Sequence, residues 1–225
     1  SIQFTMTGGT LTHTDGMSGA IQLSKGATVT IGGKAEIKSS SYAVQVQENT
    51  VLKVEGGKLS TSGSYAVSGG ETSSINISGG TISGKYGVRA EDTAAVNISG
   101  GTFDVSVGTI NVSSGDSPSI QITGGNFNGE DVSQYLPNSK IADPEVKITA
   151  SGNVLTANAV HPLTEAELTY QWYKNGVKLE GETSETLTAD EYTTYSVEVT
   201  ADYNGIQSMT VIAEYEHKET PPEPP

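Results

Sequence analysis

Cysteine is absent, so the chain can have no disulfide framework, no thiolate metal site and no cysteine nucleophile. Arginine is nearly absent: Arg89 is the single one among 12 basic residues, set against 26 acidic residues for a net charge of −14. Phosphate recognition needs clustered Lys and Arg, so nucleic acid is excluded as an expected partner. No apolar run approaches the roughly 18–20 residues of a membrane-spanning helix, and Ser1 opens the chain without a charged and then apolar leader. A soluble protein with no membrane insertion is the expectation. Hydrophobic residues make up 34% of the 225 positions and glycine fills 27. A thick conventional core is therefore disfavoured, and thin stacked layers suit the composition better.

What the chain does contain is a repeated phrase. It reads Ile75-Asn-Ile-Ser-Gly-Gly-Thr-Ile82, then Val96-Asn-Ile-Ser-Gly-Gly-Thr-Phe103, then Ile120-Gln-Ile-Thr-Gly-Gly-Asn-Phe127. Weaker copies begin at Phe4, Val29 and Leu52, so successive starts are 25, 23, 23, 21 and 24 residues apart. Self-similarity at such a period signals a solenoid. Apolar residues alternate within each copy, which is strand periodicity. A second register recurs at the same spacing: Gly19-Ala-Ile21, Tyr42-Ala-Val44, Tyr65-Ala-Val67 and Tyr86-Gly-Val88. Each repeat thus predicts about three short strands separated by turns. The dense Leu pattern of a leucine-rich repeat is missing, so the expected fold is a right-handed parallel β-helix of about six coils. After the last coil, Asp131 is placed to cap a short helix that Pro137 stops, covering the end of the stack. No comparable cap precedes Ser1-Ile2, and further coils or a cap are expected upstream.

From Pro144 onward the alternating segments lengthen, at Val146–Ala150, Val154–Val160, Leu168–Leu179, Tyr192–Thr200 and Ile206–Tyr215. Charge changes too: residues 1–140 carry 8 basic and 11 acidic side chains, residues 141–225 carry 4 and 15. Hairpin spacing predicts a small antiparallel β-sandwich. Thr169-Tyr-Gln-Trp-Tyr-Lys-Asn-Gly176 places Trp172 where an immunoglobulin-like domain buries a tryptophan, with Asn175-Gly176 as a hairpin turn. Tyr195 stands two residues before Val197, in a segment similar to a tyrosine corner. The expected organisation is all-β: a β-helix with its capping segment over 1–142, an Ig-like sandwich over 143–217, and a proline-rich linker over 218–225 leading into further modules.

Ile-Ser-Gly-Gly-Thr coils, the Val132-Ser-Gln-Tyr-Leu136 closing segment and the Tyr-Gln-Trp-Tyr-Lys-Asn-Gly module together resemble gram-positive bacterial surface proteins that join a pectate-lyase-like β-helix to a bacterial Ig-like domain. That resemblance implies an extracellular location, secreted or cell-wall-associated, and an adhesive role with polysaccharide or host glycan as partner. No wall-sorting motif is present.

Residues one repeat apart become neighbours in a solenoid, so chemistry should recur at coil intervals. Four residues before each first strand stand Lys25, Glu48, Glu71, Asp92 and Asp116. Four carboxylates about 4.8 Å apart repel by about 1 kcal/mol per pair in water and about 3.5 kcal/mol at an effective dielectric of 20. Either they splay into solvent as ordinary polar turns, or a hard cation such as Ca2+ bridges Glu48, Glu71, Asp92 and Asp116. No cofactor is otherwise required. Tyr42, Tyr65 and Tyr86 form an aromatic ladder at the same spacing, with Arg89 nearby. These four are the candidate ligand-binding residues for a sugar, the competing reading being that the rings pack inward with Val44, Val67 and Val88. Thr5, Thr30, Lys53, Asn76, Asn97 and Gln121 make a polar strip on another sheet.

No catalytic residues are assigned. A lyase needs a Lys or Arg base beside metal-bound carboxylates, an inverting hydrolase needs carboxyls roughly 6.5–9.5 Å apart in a cleft, and His13, His161 and His217 lie in separate segments without a triad pattern. The expected function is a non-catalytic surface protein or adhesin that binds carbohydrate through the β-helix, with the Ig-like module as spacer. The alternatives are a purely structural stalk and a polysaccharide lyase or hydrolase.

Overall fold

A computed structural model describes residues 2–14, 16 and 18–218, which form two compact units, Ser1–Ser139 and Lys140–Pro225. Of the proline-rich tail, all but Lys218 lies outside the described residues.

The first unit is a parallel β-helix with three faces. Six strands stack on the first: β1 (Gln3–Met6), β4 (Thr28–Ile31), and the opening residues of β7 (Val51–Thr61), β9 (Ser74–Ala90), β10 (Ala95–Val112) and β11 (Ser119–Asn126). Their register aligns Phe4, Val29, Leu52, Ile75, Val96 and Ile120 in one column, and Met6, Ile31, Val54, Ile77, Ile98 and Ile122 in a second. From Val29 to Val96 and from Ile31 to Ile122 these side chains are completely or almost completely buried. Each contributes about 1.5–3 kcal/mol of apolar burial. The intervening position faces outward, and there Thr5, Thr30, Lys53, Asn76, Asn97 and Gln121 fall into one strip, as their spacing predicts.

The second face stacks β2 (Thr10–His13) and β5 (Glu36–Ser39) under the later parts of β7, β9 and β10. The third stacks β3 (Gly19–Leu23), β6 (Tyr42–Val46) and β8 (Tyr65–Gly69) under the ends of β9 and β10, aligning Ile21, Val44, Val67, Val88 and Ile110. This face has five rungs, so the helix has five complete turns and a sixth that ends on the second face, where Phe127 stacks on Phe103 at 5.2 Å. The six expected coils are thus five and a fraction. Nor are the strands all short: β9 and β10 run for 17 and 18 residues through the Gly-Gly corner.

That corner explains the glycine pairs. The second glycine of each of the six repeat pairs has a positive φ, between 56° at Gly33 and 132° at Gly125. Crowding adds to the conformational demand, since a Cβ on Gly80 would lie 2.9 Å from the backbone of Gly56. Only glycine meets both conditions.

Beyond β11 come two 3₁₀ turns, Ser133–Tyr135 and Pro137–Ser139. Asp131 serves the first, its carboxylate accepting the Ser133 N–H at 2.9 Å. Pro137 opens the second turn instead of stopping a helix. Val132 and Leu136 are buried beside the last rung. At the opposite end, β1, β2 and β3 each have a paired neighbour on one side alone, and Phe4 is 39% exposed.

The second unit is antiparallel. β12 (Glu145–Ser151), β13 (Val154–Val160) and β16 (Thr186–Thr188) form one sheet. β14 (Glu167–Lys174), β15 (Val177–Lys178), β17 (Thr194–Tyr203), β18 (Ile206–Gln207) and β19 (Val211–Glu216) form the other. Asn175 and Gly176, at φ 51° and 74°, make the two-residue hairpin between Lys174 and Val177, the turn whose twist suits adjoining strands. Trp172 is fully buried among Leu155, Ala157, Leu187 and Val197, and its indole N–H donates to the Ser184 carbonyl at 2.9 Å. Tyr195 is buried, with its hydroxyl donating to Asp190 Oδ1 at 2.7 Å and accepting the backbone N–H groups of Asp190 and Glu191. Lys174, together with that hydroxyl, holds the Asp190 carboxyl below its ordinary range.

Candidate functional site

The tyrosine ladder forms at the start of the third face. Tyr42 and Tyr65 stack with centroids 6.1 Å apart and planes 11° from parallel, and Tyr65 and Tyr86 at 5.3 Å and 19°. The rings do not enter the core. The neighbouring small residues Ala43 and Ala66 are fully buried with Val44 and Val67, and Gly87 is buried with Val88. A Cβ on Gly87 would approach Thr109 O and the Phe103 ring within 3 Å. Two consecutive inward positions turn the preceding tyrosine to the outside, half-buried. Strict alternation fails at this bend, and so parity with Val44 misleads about where Tyr42 points.

Arg89 belongs to the same cluster. It stands in the column of Gln22, Gln45, Ser68 and Asn111, and its guanidinium carbon lies 5.3 Å from the Tyr65 centroid. Nη1 donates to the Tyr42 hydroxyl at 3.4 Å, and Nη2 pairs with Glu91 Oε1 at 2.8 Å. Glu91 also accepts the Ser68 hydroxyl at 3.4 Å. Nε is buried without a partner. Arg89 therefore ties the ladder across three coils, a cation on an aromatic face with its charge answered by Glu91. The structure thus brings all four candidate ligand-binding residues together.

Beside the ladder lie two grooves, which the repeat pattern alone did not reveal. One, of about 230 Å³, is bounded by Ser40, Ser41, Tyr42, Gly63, Ser64 and Tyr65. The other, of about 400 Å³, is walled by Thr12, His13, Thr14, Lys38, Ser39, Ser40, Ser60, Thr61 and Ser62. Ser40 is common to both. The register stacks Thr12, Lys38 and Ser60 in one column and His13, Ser39 and Thr61 in the next. Some hydroxyls brace the corner: Thr61 donates to the Ser41 carbonyl and accepts the Gly63 N–H, while Ser39 accepts the Ser41 N–H. Lys38 is held by Glu36 at 2.8 Å. The clusters Ser39-Ser-Ser41 and Ser60-Thr-Ser62, about one coil apart, are the sequence signal that could have located this wall.

The acidic ladder has a different meaning. Lys25, Glu48, Glu71 and Asp92 all have positive φ, between 46° and 62°. They occupy one recurring left-handed turn, and their regular spacing follows from that turn. Asp116 departs from it, because in the last coil Gly115 takes the positive φ. The Asp92 carboxylate accepts the Glu71 backbone N–H at 3.1 Å, and the next position binds across coils as well, with Thr72 Oγ1 donating to Asn49 Oδ1 at 2.9 Å. Among the described residues no group of three or more His, Asp or Glu side chains is arranged to hold a metal ion. Glu48, Glu71, Asp92 and Asp116 do not form such a group. The histidines are dispersed: His13 approaches Ser39 at 3.4 Å, His161 bonds backbone around Ala142 and Leu163, and His217 stacks on Tyr192.

No family model, curated protein or solved structure matches this chain. Fold and geometry alone must carry the functional reading.

Proposed function

We propose that this chain is a non-catalytic extracellular surface protein, secreted or associated with a cell wall, that binds polysaccharide or host glycan through its β-helix. The antiparallel unit serves as a spacer. The observation that carries this is the tyrosine ladder set beside a wall of hydroxyl groups. Sugars combine an apolar C–H face with a rim of hydroxyls. An aromatic edge with Ser and Thr side chains offers partners to both. Kinship of the helix with pectate-lyase-like surface proteins, and of the second unit with Ig-like domains, belongs to the same proposal. Buried Trp172 and the Tyr195–Asp190 corner support the latter.

A purely structural stalk is the second reading, favoured by Tyr65, both of whose faces are taken by neighbouring rings. Residues 1–225 should be offered to a panel of soluble glycans and plant polysaccharides, with calcium and with chelator, and the bound polymers sized afterwards. Retention of an intact polymer is the expected result. Shortened polymer would install the lyase or hydrolase alternative, and no retention under either condition would leave the stalk.

A further inference from the structure

We infer that the outer face of Tyr42 is the aromatic subsite of a groove for a neutral glycan, a step that rests on the carbohydrate-binding reading above. The ladder has two ends, and they differ. Register places Gly19 against Tyr42 at one end and Gly108 against Tyr86 at the other. Neither glycine supplies a side chain to cover the terminal ring. At the Gly108 end the ring is away from the grooves: Tyr86 is among the bounding residues of neither, Lys85 Nζ stands 5.9 Å from its centroid, and Glu130 lies close to Gly108. Glu130 is pinned there by the Thr109 N–H and hydroxyl, both donating at 2.7 Å. Tyr65 has a ring on each side.

Tyr42 is the remaining ring. Tyr65 covers its inner face, among the described residues no ring or cation stacks on the other, and the residue in register with Tyr42 on that side is Gly19. The smaller groove opens beside this ring and continues through Ser40 into the larger one. An aromatic face carries negative quadrupole density that attracts the polarised C–H face of a sugar. The hydroxyl wall then meets the ring's oxygens. One stacked ring followed by a hydroxyl-lined track is the arrangement for a chain of sugars, read from its first aromatic contact onward.

The charge of the walls selects the polymer class. Among the described residues neither groove has a carboxylate in its wall, and the lysine there, Lys38, is answered by Glu36. Among the described residues an anionic polymer finds no unpaired cation there, and it approaches a unit whose own balance is acidic, 8 basic against 11 acidic side chains over residues 1–140, a field that disfavours it. A neutral polymer is indifferent to that field.

The test uses residues 1–225 and three soluble polymers, a β-glucan, a galactomannan and polygalacturonate, with affinity read by calorimetry or affinity electrophoresis. At least one neutral polymer should bind more tightly than polygalacturonate. Tyr42→Ala should weaken that binding by about tenfold, and Tyr86→Ala by about twofold or less. Tyr42→Phe keeps the face while losing the Arg89 contact, and should stay within about threefold of the parent. It separates stacking from any disturbance of the ladder, and circular dichroism of each variant checks the fold. Equal weakening by Tyr42→Ala and Tyr86→Ala, loss of binding in a folded Tyr42→Phe, or preference for polygalacturonate would overturn the inference while leaving carbohydrate binding intact. Absence of binding to all three polymers would instead remove the broader reading on which it rests.

Discussion

In the first unit a buried side chain meets copies of itself, Ile75 on Leu52 and Val96, Ile77 on Val54 and Ile98. In the second, Trp172 meets Leu155, Ala157 and Leu187 from a different sheet, residues whose positions follow no repeat. The first arrangement spreads stability along a column of near-equal contacts between neighbouring coils. The second concentrates it on a few large groups, with Tyr195 and its hydrogen bonds at the edge. Charge follows the same division, with most of the excess acid beyond residue 140. A solenoid can absorb the loss of one rung's side chain, whereas a sandwich built over one ring cannot.

The largest test of this contrast is Trp172→Ala. Truncating a buried tryptophan costs about 3–5 kcal/mol, a large part of the stability of a domain this small. Calorimetry should show the antiparallel unit melting much earlier while the β-helix transition stays where it was. If both transitions fall together, the two units do not unfold independently. Because Trp172 is the single tryptophan, its fluorescence in the parent protein reports on the second unit alone and identifies which transition is which.

A smaller effect sharpens the comparison at the level of turns. Gly80 and Gly176 have similar φ, 86° and 74°, but the first faces backbone at 2.9 Å and the second faces open space. Gly176→Ala should cost about 1 kcal/mol for the left-handed conformation alone. Gly80→Ala should cost about 3 kcal/mol, because crowding between coils adds to it. Equal losses in thermal melts would mean that the coils can part enough to admit a methyl group.

The smallest effect concerns the acidic turns. Glu48 sits at φ 46°, so Glu48→Gly relieves about 1 kcal/mol of backbone strain and gives back about 0.5 kcal/mol or more through the freer unfolded chain. A net change within about 0.5 kcal/mol is expected, with the same melting temperature in calcium and in chelator for parent and variant. A calcium-dependent rise that Glu48→Gly abolishes would assign a cation role to the acidic ladder.

The repeat was legible because a β-helix writes its register directly into the chain. Val29, Leu52, Ile75 and Val96 recur since each must fill the same slot, and Thr30, Lys53, Asn76 and Asn97 recur since each must face away from it. Trp172 and Asn175-Gly176 were equally readable, being a large apolar group and a dipeptide with one favoured turn. Spacing alone did not reveal why the acidic residues align, because a carboxylate column and a left-handed turn have the same period. Nor did it show where Tyr42 points, since the bend at Ala43 and Val44 breaks the alternation.

By itself, then, the sequence determined the period, the parallel stack, the inward and outward columns and the change to antiparallel strands, all of which depend on local pattern and residue type. The tertiary structure alone decided that Arg89 reaches back over Tyr65 to Tyr42, that Glu130 binds Thr109 in the coil before it, and that Ser40 joins two grooves. Such contacts link residues in different coils through long side chains and bent corners, and their geometry exists only once the coils are stacked.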